Sequence, residues 1–197
     1  MSKPLILASQ SPRRLELLKQ INIVPNKIIP ADVDESCLKN ELPSVCAKRL
    51  SLLKAEKIAV TNPDAFILSA DTIVACGRRM LGKPENEAEA RKFLDLLSGR
   101  RHRVYGGICL ITPDSKKRIK LSQSIVRFKC LSKEEKENFI QSHEWVEKAG
   151  GYAIQGLAAT FIDFISGSYS NIVGLDLCET NKLLKSADFN QIISKCK

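Results

Sequence analysis

With 197 residues, 44% of them hydrophobic and 27% charged, the chain has the balance of a folded globular protein and the length for one well-filled core; disorder and fibrous repeats are excluded, and a single domain over 1–197 is the default. The net charge of +9, from 31 Lys and Arg against 22 Asp and Glu, favours an anionic partner such as a nucleotide, a nucleic acid or an acidic lipid. Nucleic acid finds no support beyond charge, because the one Trp, three Tyr and seven Phe fall mostly in apolar runs rather than interleaving a basic stripe.

Seven cysteines, an odd number with no CxxC pair and no companion His at metal spacing, read as reduced, mostly buried thiols. No run approaches the roughly 18 apolar residues of a membrane span, and the apolar stretch 5–8 is too short for a signal-peptide core. The expectation is a cytoplasmic protein without membrane contact.

In chain order, 4–8 reads as a short buried strand, after which Ser11 can cap a helix that Pro12 opens, with Leu15, Leu18 and Ile21 as its apolar face. A second extended piece at 27–33 runs into the acidic "ADVDES". Pro43 then opens a helix whose apolar residues are Val45, Ala47, Leu50, Leu53 and Ile58. "AFILSADTIVAC" (65–76) is a central strand broken by polar residues, and "RRMLGKP" a turn-rich connection. "NEAEARKFLDLLSG" is a helix with Asn86 as N-cap and Gly99 past its end. The runs 101–112 and 118–131 form a hairpin, Ser132 with Glu135 starts a capped helix, a glycine-punctuated stretch follows, and about the last 20 residues are helical. Strands alternating with helices predict an α/β fold with a mixed sheet.

A strand, a serine turn and a helix start would aim backbone N–H groups and a positive dipole end at one spot. Arg13 and Arg14 add positive charge where the dipole disfavours it, and a polyphosphate would supply the reason; plain capping with two solvated arginines is the bland alternative. Asp71 lies in a run too apolar for a carboxylate without a cation, a hydrogen-bond network or a metal. Glu35 sits in an acidic loop of the ordinary solvated kind, yet with Asp71 it could hold a hard cation such as Mg²⁺. Lys83 lies between Gly82, which permits unusual backbone angles, and Pro84, which restricts the residue before it, so the expectation is a fixed direction for the lysine. Lys54, mid-helix, is by default a surface lysine. Gln155 lies among apolar neighbours, where an amide serves core hydrogen bonding or a pyrimidine edge, accepting from ring N3–H and donating to O4. His102 and His143 match no catalytic pattern, and the Walker and dinucleotide glycine motifs are absent.

Taken together, "LASQSPRRLELL", "VDES", "RLSLLKAEKIA", "SADTIV", "LGKPENEAEA", "LSGRRHRVYGG", "KAGGYAIQGLA" and "GSYSNIVGL" resemble, in family order and over nearly the whole chain, the Maf family of nucleoside triphosphate pyrophosphatases, first named for septum-formation inhibition. The resemblance implies a two-lobed, inosine-triphosphatase-like fold with a nucleotide cleft, and hydrolysis of a nucleoside triphosphate between the α and β phosphates. By resemblance Asp71 is the proton acceptor, Ser9, Arg13, Arg14, Lys54 and Lys83 handle phosphate, and Glu35 is an acidic site position; the mechanism expected from these residues has Glu35, Asp71 and the phosphates hold Mg²⁺ or Mn²⁺. Arg13, Thr72 and Gln155 resemble the branch acting on dTTP and UTP. The implied role is nucleotide-pool sanitation or division arrest, and a nucleotide- or nucleic-acid-binding regulator with little catalysis is the alternative. A homodimer is the default assembly. Asp176 and Gly106 depart from the family pattern, the first as a candidate capping residue with Glu179.

Overall fold

Side-chain alternation along the strands decides which helix covers which face. In the computed structural model, which describes residues 3–189, the elements in chain order are β1 (Leu5–Leu7), α1 (Pro12–Gln20), β2 (Lys27–Ile28), α2 (Pro43–Ala59), β3 (Phe66–Cys76), β4 (Arg79–Leu81), α3 (Glu87–Leu97), β5 (Arg101–Ile111), β6 (Lys117–Phe128), α4 (Lys133–Gln141), β7 (Ile162–Ser166), α5 (Tyr169–Val173) and α6 (Leu177–Ser186). Among the described residues the strands form one seven-stranded sheet, ordered β2-β1-β3-β5-β6-β7 with β4 against β3. β1 runs parallel to β2 and β3, and the other pairings are antiparallel. This is the mixed α/β sheet that the alternation predicts. The expected C-terminal helix is α6; the part of that expectation beyond residue 189, with Cys196, lies outside the described residues.

Local signals explain most boundaries. The Asn86 side chain accepts from Glu89 N–H at the start of α3, and both bonds of the Ser132 and Glu135 capping box open α4. At α6 Asp176 accepts hydrogen bonds from Glu179 N–H and from the Ser122 hydroxyl, so this departure from the family pattern is a buried cap that docks the helix on β6. The start of α1 differs from expectation. Ser11 stands at the N-cap but its hydroxyl caps nothing; instead its N–H donates to Ser9 Oγ at 3.2 Å, which folds the turn toward Ser9. "RRMLGKP" is also more than a turn, because Arg79–Leu81 doubles back on β3 as β4 around Gly77.

One face of the sheet is covered by α2, where Ala55 and Ile58 meet Ile6, Ile67, Cys109 and Ile111. The other face packs a larger core from Leu68, Val104 and Phe128 against residues of α1, α3, α4 and α6. The buried stripe of α2 is Cys46, Ala47, Leu50, Ser51, Lys54, Ala55 and Ile58, while Val45 and Leu53, expected in the core, are exposed. Small residues explain the rotation. A Cβ at Gly107 of β5 would lie 2.0 Å from the Ala47 carbonyl oxygen, so the helix backbone rests directly on the sheet. Gly106, the other departure, is pressed by Asn171, whose Oδ1 would be 2.0 Å from a Cβ there.

β1 pairs with β3 up to Leu68, and β4 pairs from Val74 onward. Between them β3 has no strand on that edge among the described residues, and Asp71 and Thr72 sit in the gap with side chains on opposite faces.

Two outcomes follow from this packing. Gly107→Ala should destabilise the fold by about 3 kcal/mol, the upper end for overpacking because the obstacle is backbone, as read by urea unfolding. His102 is buried, with Nε2 2.7 Å from the Tyr152 hydroxyl, and burial pushes its pKa from 6.5 down to about 4. The unfolded chain therefore binds the extra proton first, so this contribution is full above pH 6.5 and is lost as pH falls toward 4, about 3 kcal/mol in all. His102→Phe should flatten the loss of unfolding free energy across that window relative to the unaltered chain.

Candidate active site

The sheet gap opens into a cleft of about 990 Å³. All nine residues singled out from the sequence, Ser9, Arg13, Arg14, Glu35, Lys54, Asp71, Thr72, Lys83 and Gln155, line it. They arrive from β1 and its turn, α1, the acidic loop, α2, β3, the loop after β4, and the segment before β7.

At the floor, Lys54 Nζ lies 2.6 Å from Asp71 Oδ1 and 2.8 Å from Glu35 Oε1. Lys54 and Asp71 are buried, at 6% and 5% exposure, whereas Glu35 is half-exposed. The default reading of Lys54 as a surface lysine is thus overturned: α2 turns this lysine inward, and the Asp71 carboxylate is the partner that makes its burial tolerable. Two carboxylates converge on one cation, and among the described residues no three His, Cys, Asp or Glu side chains gather into a metal cluster.

Across the strand, Arg14 is an interlock. Its Nη1 donates to Ser9 Oγ at 2.9 Å, its Nη2 to Thr72 Oγ1 at 3.2 Å and its Nε to the Gly174 carbonyl at 2.9 Å. Burial lowers its pKa, while the negative charges of Asp71 and Glu35 oppose that shift. The Arg13 side chain, by contrast, makes no hydrogen bond or ion pair among the described residues. Burial lowers its pKa as well. Lys83 Nζ reaches Glu147 at 2.7 Å between exposed groups, and Gln155 is exposed on the cleft wall rather than satisfied in the core.

Two contributors were not singled out from the sequence. Lys148, in "KAGG", lines the cleft, and its pKa is lowered by burial first and then by the positive charge of Arg13, with Lys83 adding to the effect. Cations held where they repel one another suit an anion. Gly150 N–H donates to the Gly82 carbonyl at 2.9 Å, which stitches the Lys83 and Lys148 segments together. Glu144 is the second: its Oε2 accepts from Leu157 N–H at 2.7 Å and occupies space that a Cβ on Gly156 would need, so it holds the turn that presents Gln155. The signal for Lys148 was its place beside the glycine pair of "KAGG"; Glu144 lies at the tail of a segment that reads as a capped helix, and no local pattern marks it.

The model of the Maf-like protein family matches residues 4–187. The chain belongs to that family. A dTTP/UTP pyrophosphatase of Paramagnetospirillum magneticum is 57% identical, covering 94% of this chain and 97% of its own length. One from Wolbachia pipientis subsp. Culex pipiens is 55% identical over 92% and 93%. Among solved structures, a HAM1 protein from Coxiella burnetii is 18% identical with a TM-score of 0.47, covering 95% of this chain and 100% of that one.

For this Maf-like chain the ion network sets an asymmetry. Asp71→Asn leaves Lys54 paired with Glu35, whereas Lys54→Met strands a buried carboxylate. Lys54→Met should lose about 3–5 kcal/mol in urea unfolding and Asp71→Asn clearly less. Equal losses would show that the pair is not held as described.

Proposed function

We propose that this protein is a nucleoside triphosphate pyrophosphatase that cleaves dTTP and UTP between the α and β phosphates, giving the monophosphate and pyrophosphate. The observation that carries the reading is the Lys54, Asp71 and Glu35 set at the sheet gap, facing a wall made cationic by Arg13, Lys83 and Lys148. The names of the curated relatives at more than 50% identity support the same reading.

In this reading Asp71 accepts the proton of the attacking water, and Lys54 fixes its carboxylate in place. The triphosphate lies along the turn after Ser9, with Arg13, Lys83 and Lys148 stabilising the charge that grows on the phosphates as the bond breaks. Arg14, committed to Ser9, Thr72 and Gly174, keeps that turn against β3 and offers its remaining N–H groups. Gln155 reads a pyrimidine edge, accepting from N3–H and donating to O4, with Arg13 and Thr72 on the same cleft.

The chemistry of the donor set suits a hard divalent cation: Glu35 and Asp71 each spend one carboxylate oxygen on Lys54, and their other oxygens, with phosphate oxygens and water, would hold the ion. When bound, Mg²⁺ or Mn²⁺ supplies charge withdrawal from the phosphates. No helix among the described residues is long and apolar enough to cross a membrane. A cytoplasmic place of action belongs to the same proposal.

Incubated with a nucleotide panel and Mg²⁺ or Mn²⁺, the protein should release pyrophosphate from UTP and dTTP ahead of purine nucleotides; binding without product across the panel would favour a binding regulator instead. Asp71→Asn should abolish turnover while nucleotide binding persists. Arg13→Ala or Lys83→Ala should lower kcat/KM by roughly thirty- to a thousandfold, the effect of about 2–4 kcal/mol of lost charge stabilisation.

A further inference from the structure

The loop that carries Glu35 is tied to α2 by a compact set of contacts. Arg49 donates to both oxygens of Glu41, at 2.7 and 2.8 Å, and to the Ser36 carbonyl at 3.0 Å. The Arg49 guanidinium pulls the Glu41 carboxyl down to about 2. Within this set the thiols of Cys37 and Cys46 face each other with their sulfur atoms 3.2 Å apart. Cys37 is exposed and lies two residues after Glu35; Cys46 is buried in the first turns of α2, with Arg49 Nη2 at 3.8 Å from its sulfur. Met80 Sδ is 3.6 Å from Cys37 Sγ. A disulfide needs the sulfurs at about 2.0 Å, a closure of roughly 1.2 Å, which an exposed loop residue can supply.

We propose that Cys37 and Cys46 form a redox-active dithiol that a low-molecular-weight disulfide oxidises, strapping the Glu35 loop to α2 and slowing turnover. The Cys37 thiolate attacks one sulfur of R–S–S–R, releasing RS⁻ and leaving Cys37 in a mixed disulfide. The Cys46 sulfur then displaces the second RS⁻ from Cys37, and the Cys46 proton goes to that departing thiolate. Two protein thiols are oxidised and the small disulfide is reduced to two thiols. Burial pushes the Cys46 thiol up, so the exposed Cys37 is the entry point and Cys46 reacts second. The effect on turnover rests on the proposed role of Glu35, which pairs with Lys54 and must adjust when substrate and cation enter. A covalent strap two residues away restricts that adjustment.

The test is to treat the full chain with oxidised glutathione, map its disulfides by peptide mass, and measure pyrophosphate release from UTP before and after dithiothreitol. The expected result is a 37–46 cross-link in the unaltered protein, glutathione retained on Cys37 in Cys46→Ser, and a drop of at least threefold in kcat/KM that dithiothreitol reverses. Cys37→Ser, at an exposed position outside the proposed catalytic set, should keep its activity through the same treatment. Glutathione persisting on Cys37 in the unaltered chain, or no 37–46 linkage, overturns the dithiol. A cross-link formed with kcat/KM unchanged overturns its control of turnover. The peptide map reads the dithiol whether or not the chain hydrolyses nucleotides, so its failure is separable from failure of the pyrophosphatase reading.

Discussion

The interaction on which the rest of this molecule turns is a lysine and an aspartate buried against each other at the edge of a sheet. Each charge alone would be costly to remove from water, and only their contact at 2.6 Å, with Glu35 closing the set, makes the arrangement stable. That contact requires a helix lying unusually close to the strands. Ala47, Ser51 and Ala55 on α2, and Gly107 on the strand beside Asp71, remove the side-chain bulk that would otherwise hold the two apart. The Ser69 hydroxyl, donating to the Ser51 carbonyl at 2.5 Å, sets the same spacing one strand position pair earlier.

The second constraint is electrostatic and acts across the cleft. Arg13, Lys83 and Lys148 converge from three segments, and the Lys148 pKa is lowered by burial first and then by the positive charge of Arg13, with Lys83 adding to it. Like charges are gathered at this density only where the fold compels it, here through the Gly82 to Gly150 backbone bond and the start of α1. The two adjacent arginines divide the work. Arg14 folds back to lock Ser9, Thr72 and Gly174 together, and Arg13 is left turned to the cleft without a protein partner among the described residues.

Capping chemistry made most of the fold legible, because the bonds are local: Asn86, Ser132 and Asp176 mark helix starts that any reader of the chain can find. The face of α2 was not legible in the same way. Leu53 and Val45 are more hydrophobic than Ser51 and Lys54, yet backbone proximity to Gly107 outweighed hydrophobicity and turned the smaller residues inward. β4 was hidden for a related reason, since a three-residue strand owes its existence to pairing with β3 rather than to its own composition. The apolar neighbours of Gln155 left core hydrogen bonding and a pyrimidine edge both open; Glu144, by holding the Gly156–Leu157 turn, leaves the amide exposed on the cleft wall.

By itself the sequence determined the element order, the helix caps, the suspicion attached to a carboxylate in an apolar strand, and the family motifs that point to nucleotide chemistry. These follow from local sterics, periodicity and charge, which a linear chain displays directly. Tertiary structure alone decided that Lys54 is the partner of Asp71, that Arg14 is an interlock, that Lys148 joins the cationic wall, and that two cysteines nine positions apart come within 3.2 Å. Each of these depends on distances between segments far apart in the chain, and those distances are a property of packed volumes rather than of any stretch of sequence.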